Sequence, residues 1–138
     1  MLCQTFVFIF ITALASVAFC FEQQWVGVTG KVICGDSPAP DTEIKLWNKN
    51  IGFDDQLAEV HSDADGNFQI SGGEGAIFEM DVHLKIYTKC DRWLPCGRII
   101  DFKIPSSYVT RSSGVNNWYD LGTINLMTHT KDENHKCL

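Results

Sequence analysis

Val82-His83-Leu84-Lys85-Ile86-Tyr87-Thr88 decides the fold, because apolar and polar side chains alternate through it with a period of two. Successive side chains of a strand point to opposite faces, so Val82, Leu84 and Ile86 turn towards a core while His83, Lys85, Tyr87 and Lys89 turn away. The same period recurs upstream. Val26, Val28, Val32 and Cys34 share one parity in a first strand, and Ile44 and Leu46 oppose Glu43, Lys45 and Trp47 in a second. Ala58 and Val60, then Phe68 and Ile70, mark a third and a fourth. Downstream, Ile100, Phe102 and Ile104 form a strand that Pro105 ends, since proline cannot donate to a ladder. A last strand lies within Tyr119 to Met127, with Ile124 and Leu126 on one face. No segment sustains a helical period. The pattern predicts an all-β antiparallel sandwich of about seven strands.

Turn chemistry separates these strands. Asp36-Ser-Pro-Ala-Pro40 fixes φ twice and removes two donors, Asn48 to Asp55 reads as a polar loop, and Ser106 to Asn117 as a polar connection. Ser71-Gly-Gly-Glu-Gly75 reads as a flexible connection, followed by a short helix or irregular segment over Ala76 to Asp81. Asp63-Ala-Asp-Gly-Asn67 resembles the opening of a calcium loop. Strands rather than helices flank it, so a hairpin turn with Gly66 at positive φ is the expectation and no metal is assigned.

Residues 1–20 contain no charged side chain, and Phe6 to Ala18 is almost wholly apolar. This reads as a signal peptide, with Ala15, Ser16 and Ala18 before a cleavage point between Ala18 and Phe21. The run is short of the roughly 20 apolar residues that a spanning helix needs. The division is therefore a leader over 1–20 and one domain over 21–138, secreted and extracellular. Cys34, Cys90, Cys96 and Cys137 remain after cleavage. An even number without a Cys-x-x-Cys pair suits two disulfides in an oxidising compartment better than zinc. Four cysteines allow three pairings; strand directions put Cys34, Cys90 and Cys96 at one end, and Cys34 with Cys90 and Cys96 with Cys137 is the expected set.

The chain carries a net charge of −6, which argues against nucleic acid as a partner. The charge is uneven. Between Lys85 and Lys103, five cations stand against Asp91 and Asp101, a local +3 that leaves −9 for the remainder. Parity gathers Lys45, Trp47, Lys85, Tyr87, Lys89 and Lys103 on one outer face, and the Cys90–Gly97 loop adds Arg92, Trp93, Leu94 and Arg98. Cations interleaved with aromatic residues suit a lipid headgroup boundary or a partner anchor. An ordinary solvated sheet face has the same pattern.

Gly30-Lys-Val-Ile-Cys34, Asp63-Ala-Asp-Gly-Asn-Phe68, His83-Leu-Lys-Ile-Tyr87 with Cys90, Phe102-Lys-Ile-Pro105 and Tyr119-Asp-Leu-Gly-Thr-Ile-Asn-Leu126 together resemble the nematode transthyretin-like family. The resemblance spans about Val28 to Cys137. It implies a transthyretin-type (prealbumin-type) sandwich of two four-stranded sheets, disulfide-stapled and secreted by a nematode. The family includes a bridging protein that binds phosphatidylserine on dying cells and presents them to an engulfment receptor, so the resemblance implies those two partners. The lipid- or partner-binding residues are then Lys45, Trp47, Lys85, Tyr87, Lys89, Arg92, Trp93, Arg98 and Lys103. No cofactor is expected. The alternatives are a hydroxyisourate hydrolase or small-ligand carrier on the same scaffold, and a secreted structural or signalling protein without lipid affinity. The hydrolases end in Tyr-Arg-Gly-Ser, whereas this chain ends in Asn134-His-Lys-Cys-Leu138, and His61, His83, His129 and His135 fall in no catalytic motif. No enzymatic activity is expected.

Overall fold

The computed structural model of the protein describes residues 2–10, 13–92, 94–131 and 133–137. Within them run the strands β1 (Leu2–Phe10), β2 (Ala13–Cys34), β3 (Ser37–Pro38), β4 (Glu43–Lys49), β5 (Asp54–His61), β6 (Asn67–Ala76), β7 (Val82–Thr88), β8 (Gly97–Lys103), β9 (Tyr119–Asn125) and β10 (Asn134–Lys136). Seven of these, β2 and β4 to β9, are the strands expected from alternation. The others are β1, the two-residue β3 and the three-residue β10.

The strands form two five-stranded sheets rather than two of four. In the first, β2 pairs with β1, β3, β6 and β9; in the second the order is β10-β8-β7-β4-β5. One pair departs from the antiparallel expectation, since β9 runs parallel to β2. Parallel neighbours need a crossover of a dozen or more residues. The chain from Ile104 to Trp118, with a 3-10 turn at Ser106–Tyr108, supplies it.

The inward positions meet as one core: Val26, Val28 and Val32 of β2, Phe68 and Ile70 of β6, Ile44 and Leu46 of β4, and Val82, Leu84 and Ile86 of β7 are all buried. Ile100, Ile104 and Leu126 close it. Each such side chain contributes on the order of 2 kcal/mol relative to exposure, so the parity of each strand is strongly held.

Ser71 to Gly75 is not a flexible connection. β6 continues through it to Ala76, pairing with Glu22 to Gly27 of β2. The glycines serve close approach. A Cβ on Gly73 would lie 2.2 Å from the Gln24 carbonyl oxygen, and one on Gly72 would lie 2.8 Å from that of Leu57 in the facing sheet. Residues 77–81 then form an irregular loop. The Asp63–Asn67 segment is a tight turn, with the Asp63 carboxylate accepting from the amides of Asp65 and Asn67, both at 2.9 Å. It is not the expected hairpin: β5 and β6, which it joins, belong to different sheets, so the turn carries the chain from one sheet to the other.

Cys34 is bonded to Cys90 and Cys96 to Cys137, the expected pairing. The bridges close segments separated by 56 and 41 residues, each worth on the order of 4 kcal/mol in a chain-entropy account. Both lie at one end of the sandwich, where β2 and β7 finish and β8 begins. At the opposite end the ladder between β2 and β6 starts at Glu22, whereas residues 13–21 of β2 pair with β1.

Gly73→Ala is expected to destabilise the protein by on the order of 2 kcal/mol, because the atom it would strike is backbone. Gly114→Ala, where a Cβ meets nothing within 4 Å, is the control. A thermal melt of the two variants beside wild type checks this; equal midpoints would refute the close-approach role.

Candidate functional site

Strand register brings most of the expected outer-face residues together. Lys45 stands opposite Lys85 between β4 and β7, Glu43 opposite Tyr87, and Lys85 opposite Asp101 on β8. Two like charges face to face are tolerated because each ammonium leans diagonally over an aromatic ring. Lys45 Nζ lies 5.0 Å from the Tyr87 ring centroid and Lys85 Nζ 5.4 Å from that of Trp47.

The same register brings acids that the linear sequence keeps apart. Lys45 is held by Glu43 at 3.0 Å and by Glu59 of β5 at 3.3 Å. The hydrogen bond to Glu43 raises the Lys45 ammonium above its ordinary value, and its counterpart lowers the Glu43 carboxyl. Lys103 lies 3.6 Å from Asp81, and Asp101 accepts from His83 at 2.7 Å and pairs with Lys49 at 3.3 Å. The middle of this face is therefore a neutralised lattice. Among the described residues, Lys85, Lys89 and Arg92 have no carboxylate within ion-pair distance. Trp93 lies outside the described residues.

Arg98 is not a surface residue. It is 1% exposed and shares the inward parity of Ile100 on β8. Its guanidinium meets the Glu133 carboxylate along two contacts, Nε to Oε2 at 3.1 Å and Nη2 to Oε1 at 2.5 Å. It also donates to the carbonyls of Cys90 at 2.9 Å, Thr128 at 3.0 Å and Leu126. A buried guanidinium is stable only when paired and fully hydrogen-bonded, and here it is. Parity with Ile100 is the signal that could have placed it inside rather than among the surface cations; its remote partner Glu133 had no signal at all.

This buried charge shapes a cleft of about 740 Å³ at the disulfide end. Lys89, Arg92 and Lys136 line it together with Asp41, Glu43 and His61, so cations from the β7–β8 loop and β10 share it with mixed charges from the β3–β4 segment, β4 and β5. His61 Nδ1 lies 3.0 Å from Asp41 Oδ1. Lys136, Asp41 and His61 were not among the expected residues. Lys136 enters because β10 pairs with β8, placing it opposite Gly97. The cleft is rimmed by the Cys90–Gly97 loop, whose Leu94 is 76% exposed and whose Asp91 is tied to His129 at 2.6 Å. Among the described residues no group of three or more His, Cys, Asp or Glu side chains is placed to hold a metal ion.

The pattern that defines the Transthyretin-like family matches residues 29–105. Transthyretin-like protein 33 of Caenorhabditis elegans is 36% identical over 118 residues, covering 83% of this chain and 82% of its own. Transthyretin-like protein 5 of the same organism is 36% identical over 127 residues, covering 90% and 91%, and transthyretin-like protein 46 is 31% identical over 135 residues, covering 95% and 75%. None of these names describes an enzyme. Among solved structures, a 9R-lipoxygenase from Cyanothece PCC8801 aligns at TM-score 0.42 and 18% identity, over 74% of this chain and 16% of the lipoxygenase.

Arg98 holds the Glu133 carboxyl below its ordinary value of 4.5. A carboxyl depressed in the folded state contributes stability that is complete above its unfolded value and lost as pH falls through the lower folded value. Wild type is therefore expected to lose thermal stability below about pH 4.5 more steeply than Glu133→Gln. At pH 7, Glu133→Ala should cost on the order of 3 kcal/mol or more, since it strands a buried cation. Melting curves from pH 3 to 7 test both statements; identical slopes would remove Glu133 from the account.

Proposed function

The chain belongs to the transthyretin-like family, and from that premise we propose that it is a secreted binding protein whose disulfide end recognises an anionic phospholipid surface, phosphatidylserine, and so links dying cells to an engulfment receptor. The observation that carries this reading is the rim of the cleft. Lys89 and Arg92 stand there without carboxylate partners among the described residues, beside Leu94 on a loop clamped by both disulfides. Free cations next to an exposed apolar side chain suit shallow seating at a headgroup layer, with cations on phosphates and the apolar group below them.

The cleft favours a serine headgroup over a simple anion. That headgroup carries an ammonium beside its phosphate and carboxylate. Lys89, Arg92 and Lys136 match the two anions, and Asp41, which lines the same cleft, matches the ammonium. Lys85 and Trp47 extend the contact onto the sheet. Lys45 and Lys103, engaged by acids, contribute less. Secretion is supported by the apolar 1–20 segment and by the two disulfides, which suit an oxidising compartment.

Vesicle flotation of protein secreted from eukaryotic cells expressing the full chain tests the reading. Binding is expected to phosphatidylserine vesicles and to be absent on phosphatidylcholine. Each basic residue near an anionic surface contributes about 1 kcal/mol, so Lys89→Glu with Arg92→Glu should weaken binding roughly 30-fold or more at low salt. Leu94→Ser should weaken it to a similar degree at low and high salt, because that loss is apolar. Wild type and the double reversal binding phosphatidylserine alike would sink this site, and a wild type that ignores phosphatidylserine would sink the function.

A further inference from the structure

The sandwich end opposite the disulfides displays exposed apolar side chains. Ile51 is 104% exposed and Phe53 70%, both on the loop between β4 and β5; Ile77 is 53% exposed and Phe78 83%, both on the loop between β6 and β7. Large apolar groups scattered singly over a surface need no explanation, but four on two adjoining loops do.

The loops adjoin because buried amides tie them. Asn48 is buried at the end of β4; it donates to Asn50 at 3.2 Å and to Glu74 of β6 at 2.6 Å, and accepts from the amide of Asp81 at 3.0 Å. The Lys49 amide donates to the Asp81 carbonyl at 2.9 Å, and Asn50 reaches Asp55 at 2.6 Å. Gln24 of β2, also buried, donates to the carbonyl of Phe78 at 2.8 Å and accepts from the amide of Met80 at 2.9 Å. Two buried amides thus hold the backbone of both loops while their apolar side chains point into solvent. Such a platform pays little ordering entropy on association, which is what distinguishes a recognition surface from a loose loop.

Charge selects the occupant. Glu22, Asp54, Asp55, Glu74, Glu79 and Asp81 cluster at this end against Lys49, Lys103 and Arg111, six carboxylates to three cations. The cations are already engaged: Arg111 with Glu22 at 3.1 Å and Glu79 at 3.9 Å, Lys103 with Asp81, and Lys49 with Asp101. An acidic rim is repelled by an anionic membrane and attracted by a basic protein. We infer that this end is a protein-docking surface, taking a partner that presents an apolar pocket rimmed by Lys and Arg. It is distinct from the lipid reading in place and in chemistry, and rests on that reading only in suggesting that the partner is the receptor.

A defined probe tests the chemistry without a named partner. A fluorescent amphipathic peptide of leucine and lysine, and its leucine–glutamate counterpart, are titrated by anisotropy against the secreted protein. The lysine peptide is expected to bind and the glutamate peptide not to bind. Phe53→Ser with Phe78→Ser should reduce affinity for the lysine peptide at least tenfold, and Asp54→Asn with Glu79→Gln should reduce it and flatten its salt dependence. Leu94→Ser, at the other end, should leave it unchanged. All five substituted side chains are solvent-exposed, so melting midpoints should match wild type. Equal peptide affinity in the Phe53/Phe78 variant, or equal binding of the two peptides, would overturn the inference. So would phosphatidylcholine vesicle binding that this variant abolishes, which would make the surface a membrane contact. Loss of phosphatidylserine binding in the Lys89/Arg92 variant bears on the other end alone.

Discussion

The buried Arg98 guanidinium organises the end of the sandwich on which the binding proposal stands. Bonds to Glu133, Cys90, Leu126 and Thr128 draw the β7–β8 loop and the chain that follows β9 to one point on β8. Burying a guanidinium costs several kcal/mol unless every donor is matched, so these stretches are held together by the penalty of separating them. The disulfides reinforce the arrangement on either side, Cys34–Cys90 tying the first sheet to the β7–β8 loop and Cys96–Cys137 tying the tail to the same loop. His129, between Asp91 at 2.6 Å and Glu133 at 3.4 Å, closes the loop against the tail.

From that fixed end follows the division of the surface. Where β4, β5, β7 and β8 lie side by side, Lys45, Lys103 and Lys49 meet Glu43, Glu59, Asp81 and Asp101, and the sheet face becomes nearly neutral. Past the end of β7, no carboxylate among the described residues comes within ion-pair distance of Lys89 or Arg92. Lys89 and Arg92 therefore keep their charge available at one end, while at the other the loops keep Ile51, Phe53, Ile77 and Phe78 uncovered. The middle of the sandwich is cohesive, and its two ends carry the chemistry that could engage other molecules.

The strands were legible because each depends on a local quantity, the parity of side chains. Val82 to Thr88 and Glu43 to Lys49 alternate in the structure as they do in the sequence. Ser71 to Gly75 was illegible for the converse reason. Three glycines look flexible locally, and only the approach of Gln24 and Leu57 makes a glycine necessary there. Arg98 shares the parity of Ile100, but its place beside the Cys90–Gly97 loop grouped it with the cations of that loop; Glu133, thirty-five residues away, is what makes its burial possible.

By itself, the sequence determined the class of fold, the seven body strands, the inward faces and, through strand direction, the end of the sandwich at which Cys34, Cys90 and Cys96 gather. All of these follow from alternation and chain direction, which act between neighbouring residues. Tertiary structure alone decided which cations remain unpaired, that Lys136, Asp41 and His61 share a cleft with Lys89 and Arg92, and that two loops twenty-six residues apart form one apolar platform joined through Asn48 and Glu74. Those outcomes depend on which strands become neighbours across the sheet and between sheets, and an ion pair or a cleft exists only once that adjacency is set.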